Sequence, residues 1–162
     1  MKTLFIGLRG LAYGFLFVLL WRWMAINIRV YDEVFGVTFP SWIEIPGIFC
    51  MMLGGLLAFL CLMTFIVRGK GTPAPFDPPK EFVVVGPYRY VRNPMYIGGW
   101  ICIIGAGLYL HSISIVILSL IFLFLMHLFV IFLEERWLEK EFGGRYLEYK
   151  KTVRRWIPRW RK

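Results

Sequence analysis

The sequence has few of the residues from which common disulfide, metal and nucleotide sites are built. Its 162 residues include three cysteines, Cys50, Cys61 and Cys102. Each lies in an apolar run without a C-x-x-C motif or a histidine at ligand spacing, which argues against zinc and against a disulfide framework. The signatures G-x-G-x-x-G, G-x-x-x-x-G-K-[ST] and H-E-x-x-H are also missing. We therefore expect no metal, and any nucleotide-like cofactor must be held in another way.

Charge is missing from two long stretches. Residues 45–67 form a run of 23, and residues 94–133 a run of 40, without Asp, Glu, Lys or Arg. Because roughly 20 helical residues cross a hydrocarbon core of about 30 Å, these runs predict one and two crossings. Hydrophobic residues make up 59% of the chain, against about 45–50% in soluble domains. This composition excludes an ordinary soluble domain. The net charge is +9, but the long uncharged runs leave no room for the exposed basic face that nucleic-acid binding needs.

Together with a first apolar stretch at about residues 4–24, which has Arg9 and Arg22 near its ends, these runs predict an all-α integral-membrane protein with about four transmembrane helices in one domain, residues 1–162. A chain reversal is expected at His111 and Ser112, and a cytoplasmic tail over residues 134–162. The expected spans are at about residues 4–24, 45–67, 94–110 and 113–133.

The charges between the spans predict their orientation. Residues 68–93 carry five basic and two acidic side chains, and residues 134–162 carry ten and five. Residues 22–44 carry two basic and three acidic side chains. Because basic loops stay on the cytoplasmic side, both termini are predicted to be cytoplasmic.

Two segments outside the spans have a distinctive composition. Residues 69–79 contain four prolines, which predicts an extended linker that serves either as a lid or as a spacer. After residue 133 the last span is predicted to continue to Gly143-Gly144 and to resume as an amphipathic helix that ends at Pro158. Tyr146, Tyr149 and Val153 form its apolar stripe, so this helix either lies on the membrane or covers a site.

The C-terminal tail alternates basic residues with tryptophans, a pattern typical of a segment that binds an anionic lipid surface. We favour surface anchoring over a role in chemistry. The residues are Lys150, Lys151, Arg154, Arg155, Trp156, Arg159, Trp160, Arg161 and Lys162.

The stretch GPYRYVRNPMYIGG, residues 86–99, is the first candidate for chemistry. Asn93 is a favourable N-cap residue, and Pro94 suits the first helical position. The helix start beside Arg89 and Arg92 would make an anion site. A capped helix with cytoplasmic arginines explains these residues equally well, but not the tyrosines around them: Tyr88, Tyr90 and Tyr96.

Glu134 and Glu135, directly after an uncharged span, are the second candidate. A solvated helix end is the competing interpretation. His127 lies on roughly the same helical face, and we interpret it as a structural polar contact.

A stripe of small residues should allow close packing of helices: Gly98, Cys102 and Ala106.

Two motifs carry a resemblance that covers roughly residues 68–158. GTPAPFDPPKEFVVVGPYRYVRNPMY looks like the approach to the cofactor motif, R-H-P-x-Y, of the integral-membrane methyltransferases typified by isoprenylcysteine carboxyl methyltransferase. EERWLEKEFGGRYLEYKKTVRRWIP resembles the closing pattern of that family. Asn93 replaces the histidine, and N-P-M-Y is similar to the phosphatidylethanolamine N-methyltransferase pattern. The resemblance implies S-adenosylmethionine as cofactor and a membrane lipid or lipidated molecule as methyl acceptor.

The resemblance also implies the site. The start of the helix at residue 93, with Arg89 or Arg92, would meet the cofactor carboxylate, and Glu134 or Glu135 its ammonium or ribose hydroxyls. The candidate catalytic residues are Glu135, Tyr96 and Arg92. The candidate cofactor-binding residues are Tyr88, Arg89, Asn93, Pro94, Met95, Tyr96, Gly98, Glu134 and Glu135.

We expect a carboxyl O-methyltransferase similar to the isoprenylcysteine enzyme, acting at the cytoplasmic membrane face. A carboxylate acceptor is ionised at neutral pH and needs no base, whereas a lipid ammonium must first lose a proton. The alternatives are a phospholipid amine N-methyltransferase, a nicotinamide-dependent enzyme similar to sterol reductases, and a non-catalytic lipid-binding membrane protein.

Overall fold

A computed structural model describes residues 2–72 and 79–158, and the regular structure in these ranges is helical. Residues 73–78 of the predicted linker and tail residues 159–162 lie outside the described residues. Two π-helical turns, Phe65–Gly69 and Val130–Glu134, follow α3 and α5. The α-helices are α1 (Lys2–Ile28), α2 (Asp32–Phe35), α3 (Glu44–Thr64), α4 (Pro94–Tyr109), α5 (Ile113–Phe129), α6 (Glu135–Phe142) and α7 (Gly144–Thr152).

Three helical stretches are long and apolar enough to cross a membrane: Leu4–Phe35, Ser41–Gly69 and Ile113–Phe142. The prediction of an all-α membrane protein is therefore confirmed. The helix α4 is also apolar but has 16 residues, which is about 24 Å at the helical rise. It is short for a hydrocarbon core of about 30 Å.

Glycines bring α3 and α4 into backbone contact. A Cβ atom added to Gly54 would lie 2.5 Å from the carbonyl oxygen of Gly98 and 2.6 Å from the backbone nitrogen of Cys102. A Cβ atom on Gly105 would lie 2.7 Å from the carbonyl oxygen of Gly47. Gly98 and Cys102 thus pack helices as predicted, and the partner glycines on α3 complete the contact.

The reversal between α4 and α5 lies at His111 and Ser112, as predicted. His111 has a φ of 52°, and the Ser112 hydroxyl oxygen accepts a hydrogen bond from the backbone N–H of Ile115. The Asp32 carboxylate accepts hydrogen bonds from the Ser112 hydroxyl, at 3.0 Å, and from the Ser114 backbone N–H, at 2.9 Å. Asp32 therefore ties α2 to the start of α5.

The predicted C-terminal helix ends earlier than expected, at Thr152. Gly143, with a φ of 53°, separates α6 from α7 as predicted. Val153 is extended, however, and the following residues lie beside residues 91–93, with an isolated parallel bridge between Val91 and Arg154. The prediction that the helix continues to Pro158 was wrong because this backbone pairs with a distant segment.

Candidate active site

A cavity of about 420 Å³ lies beside the start of α4. Its wall comes from the π-helical turns, a loop at residues 79–83, the start of α4, and the helices α6 and α7. Most of the wall is apolar or aromatic, and a few polar groups converge on it. This combination, at a volume within the usual range of roughly 300–1,000 Å³, is typical of a site for a small molecule.

The structure brings most of the predicted site residues to this cavity. They come from two separate parts of the chain, the turn before α4 with the first turn of α4, and the junction between α5 and α6. The predicted residues that line the cavity are Tyr88, Arg92, Asn93, Met95, Tyr96, Glu134 and Glu135.

Three other predicted residues do not line it. Arg89 is exposed on the 3-10 turn Gly86–Arg89. Pro94 is buried at the first position of α4. Gly98 packs against Gly54 of α3. These three residues shape or flank the helix start without reaching the cavity.

Glu135 is the centre of a buried ion-pair network. Its Oε1 atom lies 2.7 Å from Nε of Arg155 and 3.1 Å from Nη1 of Arg92. Its Oε2 atom lies 3.1 Å from Nη2 of Arg155 and 3.2 Å from Nζ of Lys150. The side chain is only 6% exposed, so three cations offset the cost of burying this carboxylate.

Lys150 and Arg155 therefore pair with a buried carboxylate, whereas the composition of the tail had predicted anchoring to lipid. Lys150 also lies 2.6 Å from Oε1 of Glu139. The hydrogen bond to Glu139 raises the pKa of Lys150, and the hydrogen bonds to Glu135 raise the pKa of Arg155. Both side chains remain cationic over the physiological range and hold α7 and the chain after it against α6.

Glu134 has different surroundings from Glu135. Its Oε2 atom accepts a hydrogen bond of 2.8 Å from the Tyr96 hydroxyl. Within the described parts of the chain, no cationic side chain forms an ion pair with it. The two adjacent carboxylates at this cavity thus differ, since Glu135 pairs with three cations and Glu134 with none in the ranges 2–72 and 79–158.

Arg92 lines the same cavity, and one of its donors is buried without a partner in the described residues. Its Nη1 atom donates to the Tyr146 hydroxyl oxygen, at 3.3 Å, and pairs with Glu135. Its Nε–H is buried and has no hydrogen-bond partner in the described residues. A buried donor of this kind is costly unless a ligand or water accepts from it.

Aromatic residues that were not predicted as site residues complete the wall. Tyr146 and Tyr149 of α7 are buried, and the Tyr149 hydroxyl donates to the Tyr88 carbonyl oxygen at 2.6 Å. Phe82 packs against both tyrosines, with ring centroids 5.9 and 5.4 Å away. Burial raises the pKa of Tyr146 to about 12, so its phenol is neutral at physiological pH. The apolar stripe on α7 had left open whether this helix lies on the membrane or covers a site, and in the structure its Tyr146 and Tyr149 line the cavity.

Asn93 does not cap α4, contrary to prediction. Its side-chain amide donates to the carbonyl oxygen of Arg155, at 3.3 Å, and the helix has no side-chain cap.

His127 makes a polar contact, as predicted, because its Nδ1 atom accepts a 2.9 Å hydrogen bond from the Trp156 indole.

Comparison with known protein families matches residues 42–145 to the family described as phospholipid methyltransferase. A search of curated proteins found no match to the chain. In the described residues, no group of three His, Cys, Asp or Glu side chains is placed to hold a metal ion. Since the family match covers more than half of the chain and includes the start of α4 and both glutamates, the chain belongs to the phospholipid methyltransferase family, a family of membrane methyltransferases for lipid-like substrates.

Proposed function

We propose that this protein transfers a methyl group from S-adenosylmethionine to a lipid-like acceptor at the cytoplasmic face of a membrane. One observation carries the proposal. The cavity is lined by a cationic side chain, Arg92, and by a carboxylate without a cationic partner in the described residues, Glu134. A ligand with both an anionic and a cationic group would satisfy both.

S-adenosylmethionine fits this pair of protein groups. Its carboxylate can pair with Arg92 and accept from the uncapped N–H groups at the start of α4. Its ammonium or its ribose hydroxyls can pair with Glu134. The aromatic wall formed by Phe82, Tyr146 and neighbouring side chains suits the flat adenine ring.

When bound, the cofactor supplies an electrophilic methyl group on a sulfonium. The protein then has to align the two reactants and exclude water. Glu135 keeps the Arg92 guanidinium in place, and Tyr96 holds Glu134 through its hydroxyl. In this proposal Glu135 acts through its ion pairs rather than as a free base, because both of its oxygens already have cationic partners.

Two methyl acceptors are compatible with this proposed activity. The resemblance to isoprenylcysteine carboxyl methyltransferase favours a carboxylate, which needs no base. A second candidate is the amine of a phospholipid, which must lose a proton before it attacks. The match of residues 42–145 to the phospholipid methyltransferase family supports this second candidate.

The proposed orientation has four spans with both termini in the cytoplasm. The charge difference between the loops supports it, as does the position of Glu134, Glu135 and Arg92 at helix ends next to basic segments. In this arrangement α4 is the shortest span, and its first turn, which lines the cavity, lies at the cytoplasmic end.

A transfer assay tests the proposed function and its acceptor together. The purified protein in lipid nanodiscs receives S-adenosylmethionine labelled in the methyl group, with either an aminophospholipid or a prenylated cysteine. We expect label in the lipid-soluble product. Treatment with alkali releases methanol from a methyl ester but leaves an N-methyl group attached, so it identifies the acceptor. Folded protein that labels neither acceptor contradicts the proposal for these substrates.

A further inference from the structure

The chain after α7 forms a strap across the start of α4. We define the C-terminal strap as residues 153–158, all beyond the end of the family match at residue 145. The backbone N–H of Arg92 donates to the Arg154 carbonyl oxygen at 2.9 Å. The backbone N–H and the side-chain amide of Asn93 both donate to the Arg155 carbonyl oxygen, each at 3.3 Å. The strap thus fixes the two residues that precede α4.

The side chains of the strap extend this connection to α5 and α6. Arg155 makes a two-point contact with Glu135, through Nε at 2.7 Å and Nη2 at 3.1 Å. A two-point contact restricts the orientation of the carboxylate as well as its position. Trp156 is bound to His127 of α5 through its indole N–H, which secures the other side of the strap.

Glu135 connects Arg155 to Arg92, because its carboxylate contacts both side chains. The carboxylate that Arg155 orients also holds the Nη1 atom of Arg92 at 3.1 Å. The Glu135 carboxylate therefore fixes the orientation of the Arg92 side chain, which lines the cavity. The side chain of the neighbouring residue, Arg154, is exposed and takes no part in this chain of contacts.

We propose that Arg155 is a positioning residue for cofactor binding: through Glu135 it orients the Arg92 guanidinium that meets the cofactor carboxylate. This inference rests on the proposed function. It assigns a role in the cofactor site to a segment outside the matched family region. Arg155 touches neither reactant, and its effect is on the affinity for the cofactor rather than on the affinity for the lipid.

The test measures binding of S-adenosylhomocysteine by calorimetry to the full-length protein in nanodiscs. Arg155→Gln should weaken binding roughly tenfold or more, as expected for the loss of a charge-assisted contact. Arg155→Lys should bind with intermediate affinity, because a lysine keeps the charge but cannot make the two-point contact. The matched control is Arg154→Gln, which removes the same charge from the adjacent exposed position and should bind like the wild type.

A double-mutant cycle tests the route through Glu135. In the Glu135→Gln background, adding Arg155→Gln should weaken binding by much less than it does in the wild type. In the transfer assay, Arg155→Gln should raise KM for S-adenosylmethionine and leave KM for the lipid unchanged. Thermal melts identify any variant that does not fold, and Arg155→Lys then replaces Arg155→Gln in the comparison.

The outcomes separate this inference from the proposed function. Wild-type protein that binds S-adenosylhomocysteine, with folded Arg155 variants that bind equally well, overturns only the role of Arg155. Fully additive effects of Arg155→Gln and Glu135→Gln also overturn it, since Arg155 would then act independently of Glu135. Folded wild-type protein that does not bind S-adenosylhomocysteine overturns the proposed function and this inference with it.

Discussion

The hydroxyl of Tyr96, in the first turn of α4, donates a 2.8 Å hydrogen bond to Oε2 of Glu134, at the junction of α5 and α6. This contact joins the two segments that the sequence had singled out, although 38 residues separate them. It leaves the second oxygen of Glu134 without a described protein donor. Glu134 is therefore held in place while it remains able to bind a ligand.

Replacement of Glu134 by Gln tests this role. Glu134→Gln keeps the size of the side chain and a carbonyl oxygen for Tyr96, but it removes the charge. We expect the affinity for S-adenosylhomocysteine to fall by about 1.5–3 kcal/mol, the usual value of a hydrogen bond to a charged group. Calorimetric titration measures the change.

The matched control is Glu141→Gln, on the exposed side of α6. It should bind S-adenosylhomocysteine like the wild type, and both variants should melt close to the wild-type temperature. Equal affinity of folded Glu134→Gln and wild type would show that Glu134 is a solvated helix end with no ligand.

The glycine contact between α3 and α4 gives a prediction about stability. Gly54→Ala should destabilise the protein by about 1–3 kcal/mol, the usual cost of overpacking. The added methyl group would meet the backbone atoms of Gly98 and Cys102, which cannot move unless the helices separate. The adjacent Gly55→Ala is the control, since a Cβ atom there has nothing within 4 Å. Thermal unfolding in one detergent compares the two variants, and similar melting temperatures would contradict the packing described here.

The proposed topology predicts which sites can be labelled from outside the cell. Single cysteines replace the exposed residues Glu33, Lys80 and Lys151 in a background without native cysteines. An impermeant thiol reagent should label position 33 in intact cells, and positions 80 and 151 only after permeabilisation. Labelling of position 80 in intact cells would be incompatible with cytoplasmic termini and four spans.

Local sequence patterns predicted the parts of the fold that depend on local chemistry. Uncharged runs predicted the apolar helices, and His111 with Ser112 predicted the reversal, because a helix end and its cap are set by neighbouring residues. The same argument failed at Asn93, a favourable N-cap residue by type. Its amide instead bonds to the Arg155 carbonyl oxygen, 62 residues away, and no local pattern predicts such a contact.

The candidate site was predictable to a similar extent. Tyr96 and Glu134 could be predicted because a polar group at the end of an apolar helix costs free energy to bury, so its presence suggests a function. Lys150 and Arg155 did not stand out, because a basic residue in a basic tail has the same pattern whether it binds lipid or a buried carboxylate. The sequence carried no signal for Phe82, whose position in the cavity wall depends on the packing of α6 and α7.

The most direct test of cofactor use is the thermal stability of the purified protein in detergent with each candidate cofactor. A ligand at about 100 times its Kd stabilises the folded state by about 2.7 kcal/mol, which raises the melting temperature measurably. We predict that S-adenosylhomocysteine raises the melting temperature and that NADPH does not. A rise with NADPH alone would indicate a nicotinamide-dependent enzyme, and no rise with either would show that the protein binds neither cofactor. Either result would contradict the assignment of this cavity to S-adenosylmethionine.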